Sequence, residues 1–329
     1  MSTRNVKNMK VLITGGAGFI GSHLSERHLN MGDDVAIIDN LSTGSIENIQ
    51  HLEDHPHCTV VIDDILNTDL LRDLVDQCDI IYHLAAAVGV NFIIENPLSS
   101  LISNIRGTEI ILELANERKK KVILASTSEI YGKKNGNVPF AEDSDRMLGP
   151  TTVIRWNYST SKAVDELFAL AYWREKRLPC VIVRPFNVIG PRQSGHYGMV
   201  VPRFLKQALL GHPITVYGDG EQRRCWTYID DALDGLVALA NSDEAVGEIF
   251  NLGSHFETSI RDLSFRVKEL TSSDSEIEFV PYDQAWPKGT YEDLMYRAPD
   301  LTKIRDCVGY DPNVDLESAL MNIIKYYKR

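Results

Sequence analysis

The sequence has 329 residues, of which 43% are hydrophobic and 24% charged, and its formal net charge at pH 7 is −12. This length and composition predict a soluble globular protein with one large domain or two ordinary ones. The excess of acidic residues argues against nucleic acid or an anionic membrane as the main partner, because both require a basic face.

Five cysteines are scattered along the chain without a CxxC pair: Cys58, Cys78, Cys180, Cys225 and Cys307. This pattern is typical of reduced thiols in a cytoplasmic protein, and it predicts neither a disulfide framework nor a metal site. The first ten residues are polar and basic and contain no signal-peptide core. Because no apolar run has the length of a membrane span, we expect a cytoplasmic location.

The first elements are a strand, a glycine-rich turn and a helix. Residues 11–14 form the apolar strand, the helix ends near Met31, and the turn between them has the spacing GxxGxxG, formed by Gly15, Gly18 and Gly21. Such glycines permit a tight turn and close approach of the backbone to a pyrophosphate. The second strand, 35–38, ends in Asp39, about 20 residues beyond the glycines, where an acid binds the adenosine ribose and repels a 2′-phosphate. This unit predicts NAD rather than NADP; the alternative is a glycine-rich turn in an unrelated α/β protein.

Three more strands are predicted at residues 59–62, 80–84 and 121–125, with a helix at 100–117. This alternation predicts an α/β fold with a doubly wound parallel sheet, a Rossmann sheet, whose ligands lie at the carboxyl ends of the strands. Asp64, after the third strand, could reach the adenine amino group. Ala85 and Ala86, after the fourth, would let a cofactor lie against the backbone. His83 is a possible metal or acid–base residue, but at the end of a buried strand we expect a structural role.

Tyr158 and Lys162 are four residues apart in a stretch that is predicted to be helical as far as Trp173. Positions i and i+4 share one helix face, so the phenol and the ammonium can act on one ligand. We expect the ammonium to lower the pKa of Tyr158. A tyrosine adjusted in this way could take a proton from a sugar hydroxyl while a hydride leaves the same carbon. The pair alone is a weak signal, since an exposed helix face could have the same pattern, but the glycine motif favours catalysis.

Hydroxyls and a carboxylate follow the fifth strand, at the edge of the sheet where chemistry is expected. We predict a functional role for Thr127 and Glu129, and include their neighbour Ser128 among the candidate catalytic residues, because the helix of Tyr158 must start near this point. For Ser126 we expect a structural role as a cap or turn residue.

The second half of the chain has shorter elements and clustered arginines. A sixth strand is predicted at 180–184 and a further sheet strand at 248–252, with a helix at 202–210, a strand at 214–217, an arginine-containing turn at 218–224 and a helix at 230–241. We predict an NAD-binding domain at 1–185, to which 226–255 returns, and a smaller substrate lobe over most of 186–329. Arg224 and Arg297 lie in that lobe, and we expect both to bind an anionic substrate.

Together these motifs resemble the extended short-chain dehydrogenases/reductases that act on nucleotide sugars. The resemblance rests on Gly15-x-x-Gly18-x-x-Gly21, Asp39-Asn40-Leu41-Ser42, His83-Leu84-Ala85-Ala86, Tyr158-x-x-x-Lys162 and Arg184-Pro185-Phe186-Asn187. It implies a Rossmann domain with a small sugar-nucleotide lobe, NAD retained throughout the cycle, and a homodimer. The implied cofactor-binding residues are Gly15, Gly18, Phe19, Ile20, Gly21, Asp39, Asn40, Asp64, Ile65, Leu84, Ala85, Ala86, Tyr158, Lys162 and Pro185.

The resemblance also implies roles at the substrate. Tyr158 would be the base, Lys162 a ribose ligand that modifies its pKa, and Thr127 the hydroxyl that steers the sugar O4. The nucleotide-sugar ligands implied are Thr127, Asn187, Arg192, Arg224 and Arg297.

Within this branch, the chain is most similar to UDP-glucuronate decarboxylases, through Thr127-Ser128-Glu129, Arg155-Trp156-x-Tyr158 and Arg297-x-Pro299. In those enzymes the glutamate and the arginine act at decarboxylation, after oxidation at C4 gives a 4-keto intermediate, and the product is UDP-xylose or a UDP-4-keto-pentose. A UDP-sugar C4-epimerase is the alternative, because residues 193–199 look like those of ordinary epimerases. A 4,6-dehydratase is less favoured, since Ser128 stands where those enzymes have aspartate. A non-catalytic NAD-binding protein is the remote alternative.

Overall fold

The computed structural model describes residues 8–133, 136–195, 199–286 and 292–328. Its strands are β1 (Lys10–Thr14), β2 (Asp34–Asp39), β3 (Cys58–Ile62), β4 (Ile80–His83), β5 (Lys121–Ala125), β6 (Cys180–Pro185), β7 (Val188–Ile189), β8 (Ile214–Tyr217), β9 (Arg223–Cys225), β10 (Thr227–Tyr228), β11 (Ile249–Leu252), β12 (Glu257–Ser259), β13 (Ile277–Val280) and β14 (Tyr296–Arg297). Its helices are α1 (Phe19–Met31), α2 (Thr68–Gln77), α3 (Val90–Glu95), α4 (Pro97–Arg118), α5 (Trp156–Ala171), α6 (Val200–Leu209), α7 (Ile229–Ala240), α8 (Ile260–Thr271), α9 (Tyr282–Ala285), α10 (Thr302–Val308) and α11 (Leu316–Tyr327). A 3₁₀ turn at Ser128–Tyr131 follows β5.

The predicted doubly wound parallel sheet is confirmed. Seven strands lie in the order β3-β2-β1-β4-β5-β6-β11, and all their pairings are parallel. The strand order reverses direction between β1 and β4, and such a switch point opens a crevice at the carboxyl ends of the strands. The predicted strand at 248–252 is confirmed as β11, which pairs with β6 at the edge of this sheet.

Helices cover both faces of the sheet, because its strands alternate between two apolar cores. In β1, Val11 and Ile13 belong to one core and Leu12 to the other. The first core contains α1, α7 and α11, and the second contains α2, α4 and α5. A strand that is buried on both faces of a parallel sheet has apolar side chains at successive positions. This explains the continuous apolar runs in the sequence.

The fold differs from the prediction at two arginines, which were expected in a turn. Arg223 and Arg224 lie in β9, which pairs antiparallel with β12 and parallel with β14. These pairings join segments far apart in sequence, so local turn signals could not reveal them. The register sets Arg224 directly opposite Arg297. In the part of the chain that the structure describes, no helix is long and apolar enough to cross a bilayer.

Candidate active site

A cleft of about 1510 Å³ opens at the carboxyl ends of the central strands and extends to α6 and β9. All residues predicted to bind the cofactor, to bind the substrate or to act in catalysis line this cleft, including Ile20, Ile65, Ser128 and Pro185. The fold therefore brings together residues that are spread over most of the sequence. Their individual roles remain predictions.

The glycine turn has the shape of a pyrophosphate cradle. Gly15 has φ +73°, and a Cβ at this position would lie 2.8 Å from the backbone nitrogen of Ala85. A Cβ at Gly21 would overlap the Gly15 carbonyl oxygen. Helix α1 starts directly after the turn, its N-cap Gly18 provides no side-chain cap, and its first turn contains no acid. The N–H groups at this helix start can therefore bind a phosphate group, as a dinucleotide requires.

Asp39 lies at the end of β2, beside the glycine turn. Its Oδ2 accepts a hydrogen bond from Ala17 N at 2.9 Å and its Oδ1 one from Leu41 N at 2.8 Å. Burial raises the pKa of this carboxyl, while these backbone donors oppose the change. Asp64 accepts a hydrogen bond from Asn40 Nδ2 at 2.8 Å. Carboxylates held in place in this way can bind the ribose hydroxyls of NAD, and they repel the additional 2′-phosphate of NADP. The residues present fit NAD.

Tyr158 and Lys162 lie on α5, with the Thr127 side chain as a hydrogen-bond partner of the Tyr158 phenol. The prediction that the pKa of Tyr158 is lowered is wrong for this arrangement. Burial raises that pKa, and the Glu129 carboxylate raises it further. The Lys162 ammonium instead donates to Asp165 Oδ2 at 3.0 Å, so its charge is balanced by that carboxylate.

Glu129 is held by two arginines. Arg155 Nη2 lies 3.2 Å and Arg297 Nη1 2.7 Å from Glu129 Oε1. Burial alone would raise the pKa of Glu129, but Arg155 and Arg297 outweigh it and lower the pKa to about 2. Glu129 is therefore ionised at neutral pH. The second terminal nitrogen of Arg297 donates to Asn187 Oδ1 at 2.6 Å, which also fixes Asn187 at the cleft.

Two other predicted arginines are paired with acids. Arg224 Nη2 lies 3.1 Å from Asp293 Oδ1, and the Tyr282 hydroxyl donates to the other oxygen of that carboxylate. Arg192 has φ +68° and lies 2.6 Å from Glu26 on α1. These pairs hold both guanidiniums at the rim of the cleft.

His83 has the structural surroundings that were expected for it, and Ser126 also makes a structural contact, although Thr127 rather than Ser126 caps the 3₁₀ turn. Ser126 donates to Glu166, whose carboxylate pairs with Arg184 through two nitrogens. The buried His83 ring lies between the hydroxyls of Thr14 and Thr108. Burial lowers the pKa of His83 to about 3, so the ring is neutral.

Sequence reasoning missed two residues of this site. Arg155 was quoted only as part of a motif, although its position three residues before Tyr158 at the start of α5 could have marked it. Asp165 was not considered, although a carboxylate three residues after Lys162 lies on the same helix face. Of residues 193–199, which suggested an epimerase, 196–198 lie outside the described residues.

Comparison with known proteins identifies the family. The profile described as NAD dependent epimerase/dehydratase family matches residues 11–253. UDP-N-acetyl-alpha-D-glucosaminuronate decarboxylase of Bacillus cytotoxicus is 42% identical over 97% of this chain and 98% of its own length. UDP-glucuronic acid decarboxylase 1 of Xenopus tropicalis is 36% identical over 97% of this chain and 72% of its own. The structure of UDP-glucuronic acid 4-epimerase from Bacillus cereus, in complex with UDP-glucuronic acid and NAD, has a TM-score of 0.87 at 33% identity, covering 97% of this chain and 99% of that one. The resemblance read from the motifs is thereby confirmed, and the chain belongs to the NAD-dependent epimerase/dehydratase family.

Proposed function

We propose that this protein is an NAD-dependent decarboxylase of a UDP-linked uronic acid, either UDP-glucuronate or its 2-acetamido counterpart. The observation that carries the proposal is the Glu129 carboxylate between the Arg155 and Arg297 guanidiniums, in the same cleft as Tyr158. These three side chains together carry one net positive charge. The remaining positive charge of the cluster is poorly hydrated, so an anion that pairs with it stabilises it. A substrate carboxylate is such an anion. The decarboxylases of Bacillus cytotoxicus and Xenopus tropicalis support the same reading.

The main predicted residues can be given tasks in this reaction. NAD, when bound at the glycine turn and Asp39, supplies the hydride acceptor for C4 of the sugar. Tyr158 would take the proton of the C4 hydroxyl as general base, and Thr127, its hydrogen-bond partner, would orient that hydroxyl. Asn187 and Arg224 would bind the nucleotide diphosphate from the small-lobe side of the cleft.

A ketone at C4 makes the substrate carboxylate part of a β-keto acid. The bond between C5 and the carboxyl carbon can then break, and its electron pair passes into the C4 ketone to form an enolate while carbon dioxide leaves. Arg297 can bind the carboxylate before cleavage and attract the negative charge of the enolate afterwards. Because Glu129 is ionised at neutral pH, it acts first as a hydrogen-bond acceptor, and it must gain a proton before it can deliver one to C5.

The test is product analysis. The protein with NAD is incubated with UDP-glucuronate, with the counterpart that has an acetamido group at C2 of the sugar, and with UDP-glucose as the control that lacks a carboxylate. We expect carbon dioxide and a UDP-pentose or UDP-4-keto-pentose, identified by NMR, from at least one uronate. Clean conversion of UDP-glucuronate to UDP-galacturonate without carbon dioxide would reject the decarboxylase.

A C4-epimerase is the second candidate, favoured by the similarity to the Bacillus cereus UDP-glucuronic acid 4-epimerase. Epimerisation needs Tyr158, Thr127, NAD and space for a 4-keto sugar to turn over. The Glu129→Gln variant separates the two functions. A decarboxylase should lose about 10²–10⁴-fold in rate with the loss of an essential proton-transfer group, whereas an epimerase should stay largely active. A non-catalytic NAD-binding protein is disfavoured, because both Tyr158 and Lys162 line the cleft.

We further propose a homodimer formed through α4 and α5. These helices pack against each other and expose apolar side chains: Leu98 is 70% exposed, Ile102 46% and Leu167 64%. Light scattering should give twice the chain mass, and Leu98→Glu with Leu167→Glu should give the monomer. A monomeric parent protein would refute this part of the proposal.

The lobe division at residue 185, with 226–255 returning to the NAD-binding part, is likewise a proposal. It is supported by β11 in the central sheet and by the separate sheet of β9, β12 and β14. A cytoplasmic location stays a prediction from the cysteine pattern.

A further inference from the structure

Lys162 forms a buried ion pair that the proposed reaction does not use. Its ammonium lies 3.0 Å from Asp165 Oδ2, and the two side chains are 2% and 0% exposed. Both residues are on α5, three positions apart, so the pair occupies one helix face. A buried carboxylate and ammonium stay charged when they are paired, and each restricts the position of the other.

Asp165 lies at one end of a series of polar contacts that leads to the glycine turn. The Thr108 hydroxyl on α4 interacts with the Asp165 carboxyl and favours its ionised form, which acts to lower the pKa of that carboxyl. Thr108 also lies 3.1 Å from His83 Nε2, and His83 Nδ1 lies 2.8 Å from the hydroxyl of Thr14. Thr14 is the last residue of β1 and directly precedes the glycine turn. The series therefore ties the position of Lys162 to the turn that is predicted to hold the dinucleotide.

The charges around the Lys162–Asp165 ion pair also affect the pKa of Tyr158. Asp165 has Lys162 and Glu166 as charged neighbours on α5, while the neutral His83 on β4 lies near enough to Lys162 for the ammonium to help lower the pKa of the ring. Burial raises the pKa of Tyr158, and the carboxylates of Glu129 and Asp165 both add to that rise. The hydrogen bond from Thr127 and the charge of Arg297 oppose it. Asp165 thus balances the lysine charge that would otherwise favour the phenolate.

We propose that Asp165 is a positioning residue of the catalytic site, a third member beside Tyr158 and Lys162 that holds the lysine ammonium in the cleft and balances its charge. This inference rests on the proposed function, in which Tyr158 is the base, and on the predicted role of Lys162 as a ligand of the cofactor ribose. The arrangement follows the general pattern in which the partner of a catalytic group is oriented by a further side chain. Asp165 touches neither substrate nor cofactor and acts through Lys162.

The Asp165→Asn variant removes the charge and keeps the shape of the side chain. With the ammonium no longer fixed by a charged partner, NAD should bind about tenfold more weakly. Tyr158 lies seven residues before Asp165 on α5, or about 10 Å along the helix axis. Removing a charge at that distance should shift the acid limb of the reaction by about one pH unit toward lower pH.

Two measurements test this. Calorimetry gives the NAD affinity without any sugar, and the absorbance of reduced nicotinamide in a single turnover with UDP-glucuronate gives the pH profile. Asp231→Asn is the matched control: Asp231 is a buried carboxylate on α7 that accepts backbone hydrogen bonds from Asn313 and Val314. Asp231→Asn should leave the NAD affinity, and the rate of nicotinamide reduction at each pH, within twofold of the parent values.

The proposal is overturned if Asp165→Asn folds and keeps the parental NAD affinity and pH profile, or if Asp231→Asn changes them equally. Asp165→Glu, which restores the charge, should recover most of both. If Asp165→Asn does not fold, Thr108→Val decides, since it loosens Asp165 while keeping its charge; an unchanged NAD affinity in that variant counts against the proposal. If the parent protein reduces nicotinamide with neither UDP-glucuronate nor its 2-acetamido counterpart, the proposed function fails, and the calorimetry still decides the role of Asp165.

Discussion

Arg297 is the residue whose removal tests the charge argument most directly. Its guanidinium donates to Glu129 at 2.7 Å and to Asn187 at 2.6 Å, and within the described residues its Nε makes no hydrogen bond. The Arg297→Met variant keeps the length of the side chain and removes the charge. The three-group cluster of Arg155, Arg297 and Glu129 then changes from one net positive charge to none.

A hydrogen bond to a charged group contributes about 1.5–3 kcal/mol, and each ~1.4 kcal/mol is a factor of ten in affinity. If Arg297 binds the substrate carboxylate, the preference for UDP-glucuronate over UDP-glucose should fall about 10–100-fold in Arg297→Met. The assay is calorimetric titration of the NAD-loaded protein with each nucleotide sugar. Arg297→Lys is the control, because it keeps the charge but loses the forked geometry, and its preference should be intermediate. If Arg297→Met folds and retains the full preference, the carboxylate binds elsewhere and the reasoning is refuted.

Three further predictions concern the cofactor site and Glu129. Gly21→Val should abolish NAD binding in calorimetry, because its side chain would overlap the Gly15 carbonyl oxygen. Asp39→Ala should lower the ratio of NAD to NADP affinity at least tenfold, since the repulsion of a 2′-phosphate is removed; an unchanged ratio would contradict the role of Asp39. The pKa of Glu129 is about 2, below its ordinary 4.5, so its contribution of about 3 kcal/mol to folding is complete above pH ~4.5 and is lost as pH falls toward 2. Urea unfolding should therefore show the stability gap between the parent and Glu129→Gln narrowing from pH 7 to pH 3, and a constant gap would contradict it.

The sheet and the cofactor edge could be predicted from the sequence because their signals are local. Apolar runs such as 11–14 mark strands that are buried on both faces, and the glycine spacing reflects steric demands within one turn. The helix that contains Tyr158 could also be predicted, because the signals for its start and for its helical periodicity lie within its own residues.

The remaining features depend on contacts between distant segments. Arg192 pairs with Glu26, which is 166 positions away, and the strand containing Arg224 forms only through pairing with β12 and β14. The pKa of Tyr158 was predicted with the wrong sign because the sequence argument considered the lysine alone. Burial, Glu129 and Asp165 all oppose the phenolate, and their joint effect becomes visible when the fold sets them around one phenol.

The ion pairs in the cleft are of two kinds, and the difference between them bears on the proposed substrate. Lys162 is paired with Asp165, Arg192 with Glu26 and Arg224 with Asp293, so each of these cations is held in place by a carboxylate from the same chain. Glu129 is different, because two guanidiniums meet on one of its oxygens. A neutral hexose would gain little from that cluster, whereas a uronate brings its own carboxylate to it. The same arginines keep Glu129 ionised, which places negative charge near Tyr158 and raises its pKa. The group that would recognise the substrate carboxylate and the group that would take the proton are thus electrostatically coupled, so a variant that weakens the first should also change the pH dependence of the second.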